Sequence, residues 1–137
     1  MTDSSNVTLR GKSVMPGLTV DNLQRSLDFF RGLGFTIEER WEENGVLLGA
    51  MVRAGDTRLG LSQDDGKKGQ DRVKGVGIRL YIEADDNIDE VAARARRAGL
   101  VLMTEPHDTE WGARAFDVKE PSGFVLTIAS PPTNRAT

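Results

Sequence analysis

The sequence has no cysteine and only one histidine, His107, among its 137 residues. Without thiols there is no disulfide framework, no thiolate metal centre and no cysteine nucleophile. With one imidazole, a site that needs two histidines cannot be assembled from this chain. There is little excess charge of either sign: 18 Lys and Arg stand against 21 Asp and Glu, a formal net charge of -3. No basic field is available to hold a nucleic-acid backbone, so nucleic acid is not an expected partner. Long apolar runs are missing too, since nothing approaches the roughly 18 consecutive apolar residues of a membrane span. Residues 1–12, MTDSSNVTLRGK, are polar and lack the apolar core of a signal peptide. No membrane partner and a cytoplasmic location are the expectation. A phosphate loop, a nucleophile elbow and zinc-type spacings are likewise absent.

What is present is one pattern of elements written twice. SVMPGLTV (13–20) reads as a strand, and Asp21 or Asn22 supplies a cap for a helix whose stripe is Leu23, Leu27 and Phe30. Gly32 and Gly34 are read as its stop. FTIEERW, LLGAMVRA and TRLGLSQ follow as strands, separated by the turn chemistry of EENG and GD. After a polar segment (64–75) comes GIRLYIEA, a cap at Asp86 or Asn87, and a helix with Ile88, Val91, Ala92 and Ala95 on one face. Asn87 and Glu90 have the spacing of a capping box. Gly99 closes this helix, and LVLMTEP, ARAFDVK and FVLTIAS are read as the later strands. Leu23 matches Ile88 and Gly34 matches Gly99, both at an offset of 65. Each half then forms a curved sheet with one helix, and two halves can enclose a cleft. A generic α+β domain, such as a ferredoxin-like one, also fits this order of elements.

Three stretches carry a family resemblance. VDNLQRSLDFFRGLGF (20–35) resembles the first helix and turn of the glyoxalase, bleomycin-resistance and extradiol-dioxygenase superfamily, the vicinal oxygen chelate proteins. EWGAR (110–114) is similar to that family's Trp-Gly-x-Arg segment, and EPSGFVLTI (120–128) to its acidic-Pro-x-Gly turn and final strand. The resemblance covers about 13–131. It implies an α+β fold of two βαβββ modules forming an incomplete barrel around a cleft, usually in a homodimer. The organisation expected from it is an N-terminal tail (1–12), a single domain (13–131) and a C-terminal tail (132–137). Within the domain, module one runs over about 13–63, a linker over 64–75 and module two over about 76–131.

Metal-dependent members of the family bind a divalent cation through histidines and glutamates in the pocket, where it acts as a Lewis acid on vicinal oxygens. Carried over position by position, these ligands fall on Met15, near Gly60, on Arg79 or its neighbour Ile78, and on Thr127. None is a ligand of the required kind, and Arg79 brings a positive charge to where a cation would sit. Glu83 and Asp85 are carboxylates at a strand end beside a helix cap, read as solvated or capping. No metal and no other cofactor are expected.

Arg79 and Tyr81 alternate on one strand and share a face, which the resemblance turns toward the cleft together with Met15 and Thr127. One cation, one phenol and one alcohol among apolar walls suit a small organic ligand. Arg79 pairs either with an anionic group of that ligand or with a strand neighbour in an internal salt bridge. Trp41, Met51 and Trp111 are read as ligand-binding walls or as core and interface residues. Arg114 is placed across an aromatic face or on a carboxylate. His107 is placed in a loop, exposed, or else as a general base partnered by Asp108 or Glu110. The mixed-charge run 67–74 is read as a solvated linker or as a flap over the pocket. The leading function is metal-free binding of a small molecule, as in sequestration of a toxic or antibiotic-like compound. The alternatives are a metal-free isomerase or lyase, with His107, Tyr81 or a carboxylate as acid-base group, and a regulatory or interaction subunit with a vestigial cleft. A charge of -3 and Arg79 both argue against a cationic drug such as bleomycin.

Overall fold

The computed structural model describes residues 7–133. In chain order its elements are β1 (Gly17–Val20), α1 (Leu23–Leu33), β2 (Thr36–Glu43), β3 (Val46–Ala54), β4 (Thr57–Gln63), β5 (Arg79–Glu83), α2 (Ile88–Arg97), β6 (His107–Asp108), β7 (Arg114–Lys119) and β8 (Val125–Ala129). They make two four-stranded mixed sheets, ordered β1-β4-β3-β2 and β5-β8-β7-β6. In each sheet the first and last strands pair in parallel and the remaining pairs are antiparallel. This is an α+β architecture of two βαβββ modules whose sheets stay open.

The duplication extends to individual hydrogen bonds. Asn22 and Asn87 are the N-caps, and each side chain accepts from the backbone N–H three residues on, Arg25 and Glu90, both at 3.1 Å. At the other end the N–H of Gly34 donates to the Arg31 carbonyl and that of Phe35 to Phe30. Gly99 and Leu100 repeat this on Arg96 and Ala95. Every pair is 65 residues apart. Gly34 and Gly99 have φ of +107° and +93°, a conformation that costs an L side chain energy and glycine little.

Three expectations are corrected. The first strand begins only at Gly17; Ser13 to Pro16 precede it, and Met15 is half exposed. Gly32 lies inside α1 and stops nothing: a Cβ there would come within 2.5 Å of a Leu100 methyl, so it permits α1 to approach the chain leaving α2. LVLMTEP contributes a single bridge, Leu102 to Val118, and the strand beside β7 is instead His107–Asp108.

Alternation places Leu18, Val20, Ala50, Val52, Leu59 and Leu61 of the first sheet on its helix side. Phe116, Val118, Leu126 and Ile128 do the same in the second. All five phenylalanines are buried here, and one apolar cluster takes in both helices and both sheets. Burying each such ring contributes about 1.5–3 kcal/mol.

The modules are also joined by polar contacts. Glu120, fully buried in the β7–β8 turn, accepts a hydrogen bond from the Ser26 hydroxyl on α1 and from the Ser122 N–H at 2.6 Å. The Asp21 N–H donates to the Ser122 hydroxyl at 2.9 Å. Beside this junction the Lys74 ammonium, 5% exposed, lies between Asp21 and Asp64, 2.8 Å from the latter. Gly75 there runs so close to the turn that a Cβ would meet the Gly123 carbonyl oxygen at 2.2 Å. The 64–75 segment is therefore fastened at both ends.

The hydrogen bond from Lys74, followed by that from the Gly66 N–H, holds the Asp64 carboxyl down to a pKa of about 2. An unfolded aspartate titrates near ~3.9. A depressed folded-state pKa stabilises the fold above the unfolded value, and the contribution is lost as pH falls through the folded one. The melting-temperature advantage of the wild type over Asp64→Asn should therefore be full above about pH 5 and should shrink between about pH 4 and 2, measured by circular dichroism.

Candidate functional site

Side chains on the face of each sheet away from the helices form the candidate site. In the first sheet Gly17, Gly60 and Met51 share one row, and Thr19, Ser62, Gly49 and Trp41 the next. The Trp41 ring lies against Gly49, whose absent Cβ would sit 2.9 Å from it. At the rim Glu38 accepts from Arg58 at 2.9 Å and Arg53 at 3.2 Å, and the Arg58 bond chiefly holds its carboxyl below the usual range.

In the second sheet the register sets three rows: Arg79, Val125 and Lys119; then Tyr81, Thr127 and Asp117; then Glu83, Ala129, Ala115 and His107. Thr127 donates to Asp117 Oδ1 at 2.5 Å. Nη1 of Arg79 donates to Thr127 Oγ1 at 3.1 Å and reaches Asp117 Oδ1 at 3.4 Å. Asp117 is itself held by its N–H, which donates to Thr104 Oγ1 at 2.9 Å. The internal salt bridge named as one alternative for Arg79 is thus formed. Asp117 is a site residue that the sequence reading missed; its signal is its place between the core residues Phe116 and Val118, which turns it to the opposite face.

Trp111 reaches Tyr81 from the β6–β7 loop, its indole N–H donating to the phenol oxygen at 3.0 Å with the rings tilted by 50°. The loop is closed by Thr109 and Ala113, which exchange bonds at 2.8 and 3.0 Å. Arg114 fastens it through Asp89 at the start of α2 (3.0 Å) and Asp108 (3.2 Å), the carboxylate role expected of it. Asp89 is held below, and Arg114 above, its ordinary pKa, each chiefly by their mutual hydrogen bond.

His107 is a strand residue opposite Ala115, not a loop residue, and so shares the face of Tyr81 and Thr127. Its Nδ1 lies 2.8 Å from the Glu105 carbonyl oxygen, which can only accept, so Nδ1 is the donor and Nε2 is the ring nitrogen not engaged in this contact. Arg79, Tyr81 and Glu83 of β5 also line an open cavity of about 420 Å3, closed on the other side by Val14, Pro16 and Arg58. Met15 is not among its lining residues.

The positions that the resemblance assigns to metal ligands do not fit a divalent cation. Met15 stands outside the strand, Gly60 has no side chain, Arg79 is cationic, and the Thr127 hydroxyl is committed to Asp117. Among the described residues no three His, Asp or Glu side chains converge as a ligand group.

Two open βαβββ modules with a polar and aromatic cleft face define a class of proteins, and sequence comparison specifies it. Residues 12–128 match the family model of the Glyoxalase/Bleomycin resistance protein/Dioxygenase superfamily, and the chain belongs to that superfamily. Among solved structures it is similar to TioX from Micromonospora sp. ML1, at 20% identity and TM-score 0.71 over 88% of this chain and 98% of that one. It is also similar to TnmS3, an antibiotic binding protein from Streptomyces sp. CB03234, at 20% identity and TM-score 0.68 over 90% and 99%. A third is a glyoxalase/bleomycin resistance protein/dioxygenase from Nocardioides, at 20% identity and TM-score 0.65 over 95% and 90%. No curated protein matches the sequence.

In a Trp41→Phe background, where Trp111 is the remaining indole, Tyr81→Phe removes the acceptor of the indole N–H. The Trp111 emission should shift as the ring is released, while stability changes by less than about 1 kcal/mol because the bond is exposed. An unchanged spectrum would mean that the bond does not hold the ring.

Proposed function

We propose that the protein binds a small organic molecule with a planar aromatic part against these sheet faces, without a metal ion, and that holding the ligand is its activity. Sequestration of a toxic or antibiotic-like compound is the role that follows. The observation that carries this reading is the sorting of the aromatic residues. All five phenylalanines are in the core, whereas Trp41, Tyr81 and Trp111 are 45%, 47% and 51% exposed on the faces away from it. Exposed aromatic rings with polar edges are suited to stacking on a flat ligand while their N–H and O–H groups orient it. The shared fold with an antibiotic binding protein, TnmS3, is in keeping with this use of the scaffold.

We further propose that the protein works as a homodimer in the cytoplasm. Val46, Leu48 and Ile78 are exposed as well, and a second copy packed over them covers apolar surface that a lone chain leaves wet.

A metal-free isomerase or lyase is the second reading, and the orientation of His107 favours it. With Nδ1 oriented by a backbone carbonyl, Nε2 is the ring nitrogen left to exchange a proton with a ligand on this face.

A thermal-shift screen of planar aromatic compounds tests both readings. A ligand that raises the melting temperature, is recovered chemically unchanged, and binds Trp111→Ala or Trp41→Ala roughly tenfold more weakly supports sequestration. Conversion of the compound, lost in His107→Gln, supports the enzyme. Absence of binding across the screen by folded protein contradicts both.

A further inference from the structure

We infer that the site selects ligands whose aromatic ring bears an acidic oxygen group, a carboxylate or an ionised phenol, and that the Arg79 guanidinium reads it. The inference rests on the binding reading above and names the ligand class for it.

Arg79 and Asp117 carry opposite charges, and their exposure decides which one a ligand meets. The Asp117 side chain is 18% exposed and that of Arg79 is 55% exposed. Asp117 Oδ1 is also covered by two donors, the Thr127 hydroxyl and Arg79 Nη1. The carboxylate is thus turned inward as the support, and the guanidinium is the outward charge. Both hydrogen bonds of Arg79 run through Nη1. A guanidinium is a planar fork of five N–H donors, so one nitrogen held this way fixes the plane and leaves the Nε and Nη2 edge as a pair of parallel donors. Such an edge matches two oxygens of a carboxylate, or a phenolate beside a carbonyl.

The neighbours supply the rest of the recognition. Tyr81 is two residues along on the same face, and its oxygen already accepts from Trp111, so its own O–H remains to donate. The aromatic pair meets the ring of a ligand while Arg79 meets its acidic edge. A cationic aromatic compound would instead meet the guanidinium at close range, with Asp117 shielded behind it.

Titration of tryptophan fluorescence with three naphthalenes of one shape tests this: 1-naphthoate, 1-naphthalenemethanol and 1-naphthylmethylammonium. Naphthoate should bind about tenfold or more tighter than the alcohol, and the ammonium weakest, since a charge-assisted pair is roughly twice as strong as a neutral one. Arg79→Met should bring naphthoate down to the affinity of the alcohol while the alcohol is unaffected. Arg79→Lys should recover part of the preference, having the charge without the fork. Equal binding of all three probes, or a preference that survives Arg79→Met, overturns the anion inference and leaves the binding reading standing. Failure of every probe to bind the folded wild type counts against both.

Discussion

Glu120 puts a carboxyl group where no solvent reaches it, and such a group is tolerated only when protein donors replace the lost water. One donor, Ser26, belongs to the first helix; the others come from the turn that carries Glu120. Meeting this requirement brings α1 against the β7–β8 turn. Gly75 and Gly123 let the connecting segment pass where any side chain would collide with backbone. With this junction closed, the helices and the inner sheet faces bury one another in one core, while the outer faces keep Trp41 and Tyr81 half exposed above smaller residues, of which Ala115, Thr127 and Ala129 are buried.

That division accounts for the site. The core between the helices and the inner sheet faces takes every phenylalanine, whereas the outer faces carry glycine, alanine and threonine beside Trp41 on the first sheet and beside Tyr81, with Trp111 reaching it from the β6–β7 loop, on the second. A floor of small residues set with half-exposed indole and phenol rings is a poor solution for stability, because those rings contribute only part of the burial energy available to them. It is a good solution for receiving a flat molecule. The polar groups are ordered by their neighbours: Arg79 by Thr127 and Asp117, Trp111 by Tyr81, and the loop of Trp111 by Arg114.

The repeated order of elements was legible because its signals are local. The caps at Asn22 and Asn87, the glycines Gly34 and Gly99 and the spacing of Ile88, Val91, Ala92 and Ala95 depend on neighbours within a turn or two of helix, and these appear in place. Alternation likewise puts Arg79 and Tyr81 on one face; Thr127 joins them only through the family resemblance, and the β5–β8 register sets it opposite Tyr81. What failed depended on distant partners. Gly32 looks like a helix stop until Leu100 is placed against it, and LVLMTEP has the apolar alternation of a strand but meets β7 only at Leu102. His107 was read as a loop residue because a strand of two residues has no periodicity to detect. The bond between Trp111 and Tyr81, 30 positions apart, has no sequence signature at all.

In the cleft, a cationic side chain backed by a carboxyl and a hydroxyl stands where the superfamily resemblance places metal ligands, and the account stands or falls on whether a cation is needed there. The most direct measurement is elemental analysis of protein purified without chelator or histidine tag, followed by thermal shift with nickel, zinc, manganese and iron(II). The account predicts metal far below one equivalent and an unchanged melting temperature with each ion. Near-stoichiometric metal together with stabilisation by one of them would contradict it.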